Sequence, residues 1–227
     1  MTIVAPPRKI LEVIVTSLND ALEAQAGGAD RLEIVRDLSA GGLTPDLALV
    51  ADIRSAVSIP VRAMLRENPS MEIAGGSELE QLQLQAAAFS GLAIDGLVLG
   101  FVMNDTIDTS TLRKVAAAAP DLKMTFHRAF DTLPNPVEAI STLKTVPMVD
   151  RILTAGGSGS WATRRSRLQS WQRHASPQIK ILFGAGLQSV SDPFIEEVHI
   201  GRAARNPPEH HAPVCRAKVA ELKGMLA

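Results

Sequence analysis

Eight short apolar runs recur along the chain: ILEVIVT (10–16), RLEIVR (31–36), PVRAMLR (60–66), GLVLGFV (96–102), KMTFHRAF (123–130), RILTAGG (151–157), IKILFGAG (179–186) and EVHIG (197–201). Each has the length and β-branched content of a strand, and most are nearly continuously apolar, as strands covered on both faces are. Between them lie stretches with helical spacing, at 17–28, 77–91 and 135–144. In the first, Leu18, Ala21, Leu22 and Ala26 share one face and Gly27–Gly28 supplies a stop. Strand alternating with helix predicts parallel pairing through crossover helices.

A second regularity points to a closed ring. Asp30, Asp95 and Asp150 each lead into an even-numbered strand, in GGADRLEIV, LAIDGLVLG and PMVDRILTA. They recur every two strand–helix units, as in an eight-fold barrel built from quarter pieces. Their expected role is to cap turns at the base of the barrel. A single (β/α)8 barrel domain over 1–227 is therefore expected, with a core at about 10–205 and a C-terminal helix at about 212–226.

A parallel barrel places function at the carboxyl ends of its strands. His127, Arg128 and Asp131 fall there after strand five. Glu12 and Glu33 interrupt strands one and two, and a buried carboxylate needs a cation or a proton. Arg66 and His127 are the expected partners across the lumen. Two readings stay open: a structural charge network, or a catalytic set of Glu12, Glu33, Arg66, His127, Arg128 and Asp131 working as acid and base. FGAG and HIGR end strands seven and eight, where barrels often hold anions on loop amides, so Gly184, Gly186, Gly201 and Arg202 are candidate anion-binding residues. TAGGSGS, with Gly156 and Gly157, forms a third glycine-rich loop and lacks the Gly-Lys-Ser/Thr of a P-loop. GGLTPD reads as a turn with Thr44 as N-cap. No Schiff-base lysine is evident.

Composition narrows the classes. With 23 basic against 24 acidic residues, the net charge of −1 offers no footprint for nucleic acid. No run is long enough to span a bilayer, and MTIVAPPRKI lacks the features of a signal peptide. A single cysteine, Cys215, precludes internal disulfides and fits a reducing cytoplasm. The EHH of 209–211 reads as a solvated surface segment, and the basic run from Trp161 to His174 as an outer helix whose tryptophans could cover a subunit contact.

Together, GGADRLE, LSAGGLTPD, DGLVLGFV, TFHRAFD, RILTAGG and FGAG resemble the CutC family of copper homeostasis proteins over residues 10–205. That resemblance implies a TIM barrel, a cytoplasmic and self-associating protein, and copper-ion binding; a homodimer is the expected state. The family's characteristic polar positions carry over to Glu12, Glu33, Arg66, His127, Arg128, Asp131 and Thr154. The chain departs from the pattern where relatives often carry cysteines, having Ile14 and Val35 instead, and it has Asn68 where a second arginine is expected. Thiolates are the preferred ligands of Cu(I). The metal is thus left unknown, and the competing expectation is a barrel isomerase, epimerase or lyase acting on a small anionic or phosphorylated metabolite. A scaffold protein with an idle pocket is the third reading.

Overall fold

The computed structural model describes residues 9–184 and 192–226. Eight strands form a closed ring: β1 (Ile10–Val15), β2 (Arg31–Ile34), β3 (Val61–Met64), β4 (Gly96–Leu99), β5 (Lys123–Phe126), β6 (Val149–Thr154), β7 (Lys180–Phe183) and β8 (Glu197–Ile200). Each pairs in parallel with the next, and β8 returns to β1. Around the ring lie α1 (Leu18–Ala26), α2 (Leu47–Ala56), α3 (Gly76–Ser90), α4 (Thr109–Ala118), α5 (Pro136–Leu143), α6 (Trp161–Ala175) and α7 (Arg216–Met225). The fold is the expected α/β barrel of the TIM type.

Two apolar clusters divide the interior. The larger fills the shell between strands and helices, with Leu11, Val13, Leu32, Leu97 and Phe126 almost wholly inaccessible. The smaller joins Ile14, Val35, Met64 and Val98 with Leu38 packed against them, on the inward faces of β1 to β4. The strands are shorter than the apolar runs because the last residues of several runs already belong to the loops at the mouth. His127 leaves β5 to cap the 3-10 turn Arg128–Thr132.

The recurring aspartates follow one rule twice. Asp30 Oδ2 accepts the Leu11 amide at 2.8 Å, and Asp95 Oδ2 accepts the Val61 amide at 2.8 Å. Each carboxylate thus satisfies the first free N–H of the preceding odd strand. Asp150 differs: it takes a two-pronged contact from Arg62.

Three local expectations are corrected. Thr44 does not cap a helix; α2 begins at Leu47 after Asp46. Instead the Thr44 hydroxyl accepts the Arg66 amide at 2.9 Å and lies 3.0 Å from the Arg66 carbonyl, tying the end of β3 to the β2 loop. Trp171 is not free for a subunit contact. Trp171 is buried edge-on against Phe130, and Trp161 packs against Phe183. His210 belongs to the mouth rather than to open solvent, its Nδ1 2.9 Å from the Leu38 carbonyl oxygen.

Candidate active site

The barrel floor is an ionic chain. Arg31 Nε donates to Glu12 Oε2, and its Nη2 donates to Glu197 Oε2 at 2.7 Å. Arg151 Nε donates to that same Glu197 oxygen at 2.7 Å, and its Nη1 to Asp150. Arg62 completes the row with bonds of 2.8 and 2.7 Å to Asp150 and one of 2.7 Å to Thr125 Oγ1. Carboxylates and guanidiniums alternate along the row, so its buried charges have opposite neighbours, the condition for tolerating them away from water. The expected pairing of Glu12 with Arg66 or His127 is corrected. Its cation is Arg31, directly opposite it in the β1–β2 register.

One level higher the pairing is incomplete. His199, opposite Glu12 in the β1–β8 register, sets Nδ1 2.8 Å from Glu12 Oε1 and 3.4 Å from Glu33 Oε2. That Glu33 oxygen is buried with no hydrogen-bond partner among the described residues. The two glutamates diverge accordingly. Burial pushes the Glu12 carboxyl up, but the Arg31 guanidinium and His199 outweigh it and hold it well below the usual carboxylate range. Burial raises Glu33 to about 7, against the pull of His199 and with the help of the Glu12 charge. Burial alone would lower His199; facing both carboxylates, it is instead raised.

Above them opens a cavity of about 850 Å³. Its apolar wall is the small cluster, with Ile14, Val35, Leu38 and Met64 on its surface, and its polar wall includes Arg66 and His127. His127 is buried; its Nδ1 accepts the Ala129 amide at 3.1 Å, which leaves the proton on Nε2, and that N–H has no partner among the described residues. Burial, followed by the nearby Arg66 charge, pushes this imidazole down to about 3, so it is a neutral donor at physiological pH. Arg66 donates Nη2 to the Pro69 carbonyl while its Nε has no partner, and no carboxylate pairs with it among the described residues.

Gly100 makes the His127 pose possible. A Cβ there would lie 2.4 Å from His127 Nδ1 and 2.6 Å from Cε1. Gly100→Ala is therefore expected to push the ring off its Ala129 contact and cost about 1–3 kcal/mol. Imidazole ¹⁵N chemical shifts check this through loss of the Nε2–H tautomer, and thermal melting reads the stability.

The remaining candidates divide. Arg128, Asp131, Gly184, Gly201 and Arg202 line the cavity, whereas Glu12 lies beneath it and Thr154, Gly156 and Gly157 lie outside its surface. Gly186 lies outside the described residues. Asp131 is fully engaged: it accepts Arg128 Nε at 2.9 Å, the Ala155 amide at 3.0 Å and the Thr154 hydroxyl. The loop amides expected to hold an anion are partly spent as well. Gly156 N–H donates to Thr154 Oγ1 and Gly184 N–H to the Thr154 carbonyl, each at 3.0 Å.

Sequence reading missed Arg31, Arg62, Arg151 and Glu197, which set the charge of the floor. Strand parity carried part of the signal. Arg31 and Glu33 are two apart on β2, and Arg62, Met64 and Arg66 alternate on and just past β3, so each set shares one face.

Ligand atoms of Glu12, Glu33 and His199 lie within 4.8 Å of one another. The set is two carboxylates and an imidazole, and Arg31 already neutralises one of the carboxylates. Cys215 is half-buried just before α7, away from the cavity lining. Among the described residues no lysine lines the cavity.

The model of the CutC family matches residues 9–198. Among curated proteins, the chain is 30% identical over 217 residues to the human copper homeostasis protein cutC homolog, covering 95% of this chain and 76% of that one. It is 34% identical over 196 residues to a family protein CutC of Salmonella schwarzengrund, covering 84% and 78%. Among solved structures, a CutC protein of Streptococcus agalactiae superposes with a TM-score of 0.78 at 22% identity, over 85% of this chain and 98% of that one. The sialic acid aldolase of Ruminococcus gnavus gives 0.63 at 12% identity, over 85% and 67%. At these identities the structural likenesses show the fold alone.

Proposed function

The chain belongs to the CutC family, and on that premise we propose that its barrel mouth is an acid–base active site that moves a proton on a small organic anion. The observation that carries this reading is the divergence of the paired glutamates. Two carboxylates share one histidine, yet Glu12 is locked as an anion by Arg31 while Glu33 is buried, lacks a full set of partners and titrates near neutrality. Groups pushed apart in this way mark a division of labour between a fixed charge and a proton carrier. At about 7, Glu33 is populated in both forms at physiological pH, as a general acid–base group requires.

The chemistry follows from the lining. Glu33 removes a proton from a carbon next to a carbonyl, and the C–H electron pair moves into the carbonyl to give an enolate. The neutral His127 Nε2–H donates to the developing oxyanion, and the Arg66 charge offsets the negative charge. Returning the proton from Glu33 at the same or a neighbouring position completes an epimerisation or isomerisation. Glu12 keeps His199 oriented through Nδ1.

The names of the relatives carry copper homeostasis. No thiolate lines the cavity; its soft donors are the thioethers of Met64 and Met71, while the cluster of Glu12, Glu33 and His199 offers two carboxylates and one imidazole, a set that suits harder cations better than Cu(I). No step is assigned to a metal.

The test is solvent exchange. Purified protein in D₂O is incubated with small carbonyl compounds (neutral ketones, oxo-carboxylates and sugar phosphates) and C–H signals are followed by ¹H NMR. Exchange above the buffer blank, rising to half its limit at about pH 7 as Glu33 loses its proton, is the expected result. Blank-level exchange with every class would overturn the reading.

A further inference from the structure

The anion in the proposed reaction can be given a chemical class from the unpartnered donors at the mouth. Arg66 and His127 are 8% and 4% exposed, and each keeps an N–H without a partner among the described residues. Leaving buried donors unmade is costly, so both are set to receive ligand acceptors. They are also level with each other. Met64 is opposite Val98 and Leu99 opposite Phe126, and stepping both registers onward places Arg66 and His127 on either side of Gly100. The two backbones are then about 10 Å apart, two strand spacings. The His127 ring lies over Gly100, in the place a Cβ would fill, which shortens the gap.

We infer that the mouth takes a small oxo-carboxylate, its carboxylate on the Arg66 guanidinium and an oxygen one or two carbons away on His127 Nε2. This deepens the proposed reading and rests on the same site. A guanidinium offers the planar fork that a carboxylate matches. A phosphate needs more donors, and the amides of Ala155, Gly156 and Gly184 are already committed within the protein. The apolar wall of Ile14, Val35 and Met64 fits the carbon chain. An oxygen held at His127 also makes the neighbouring C–H the acidic one, which is the proton that the proposed reaction transfers to Glu33 in the same cavity.

Calorimetric titration with 2-oxobutanoate, acetoacetate, butanoate, butanone and glycerol 3-phosphate tests the inference on the unaltered protein. An oxo-acid is expected to bind at least about tenfold more tightly than butanoate, which lacks the oxo oxygen, or butanone, which lacks the carboxylate. Arg66→Lys, which keeps the charge and loses the fork, is expected to remove the advantage over butanone; a melting curve verifies that it folds. Glycerol 3-phosphate binding as tightly as the oxo-acids, an unchanged oxo-acid affinity in Arg66→Lys, or no oxo-acid binding at 10 mM (roughly where about 3 kcal/mol of binding would register) would overturn it. The two proposals fail separately. Proton exchange with sugar phosphates or neutral ketones alone would sink the oxo-acid class and leave the acid–base site standing. Oxo-acid binding with no exchange anywhere would do the reverse.

Discussion

Replacing Glu33 with glutamine is expected to reduce proton exchange at the mouth by about 10²- to 10⁴-fold, the range general acid–base groups supply. The same change should leave the protein no less stable at pH 8. Glu33 has its folded-state pKa raised from 4.5 to about 7. A carboxyl raised in this way favours the folded state least when ionised, so stability falls as pH climbs from 4.5 through about 7. At about 1.4 kcal/mol per tenfold change in proton affinity, the fall is roughly 3 kcal/mol in order of magnitude. Glutamine cannot ionise, so Glu33→Gln removes that loss. His127 works in the opposite direction: depressed to about 3, it costs stability as pH drops below 6.5, because the unfolded chain takes up the proton first. Urea unfolding at pH 5 and pH 8 separates these trends. Comparable stability loss at both pH values, with exchange lost as well, would mean that Glu33 is structural and not a proton carrier.

The ring was legible because apolar runs at strand length, separated by helical spacing, have few parallel solutions, and Asp30 and Asp95 repeat one capping contact at equivalent places. Glu12 and Glu33 were legible because a carboxylate inside an apolar run demands an explanation. Their partners were harder to assign. Arg31, Arg62 and Arg151 sit at or near strand starts, where a basic residue ordinarily reaches solvent, and only ring closure brings β8 beside β1 and Glu197 onto Arg31 and Arg151. His210 shows the same limit. A histidine among prolines reads as surface until the chain after β8 folds back, with Arg205 tied to Asp20 and the Ile14 carbonyl. The glycine loops were only partly legible for a different reason: glycine permits an anion cradle, but whether its amides are free depends on contacts such as Thr154 with Gly156 and Gly184, which spacing does not reveal.

The floor carries the second large effect. Arg31→Met leaves Glu12 and Glu197 buried with their shared cation gone, and breaking a buried pair from one side typically costs about 3–5 kcal/mol. The loss has a distinctive pH dependence. In the intact protein, Glu12 is held below its ordinary pKa, so its contribution is present above about 4.5 and is lost as pH falls below that. Without Arg31, burial is opposed only by His199, and Glu12 moves upward. The variant's deficit should then be largest near pH 8 and shrink toward pH 4.5, as the stranded carboxyls take up protons. Adding Glu12→Gln to Arg31→Met should recover part of the deficit at pH 8 and little at pH 4.5. Chemical denaturation of the single and double variants at both pH values measures this directly. A deficit of equal size at the two pH values would assign the role of Arg31 to packing rather than charge, and would remove the fixed anion that separates Glu12 from Glu33.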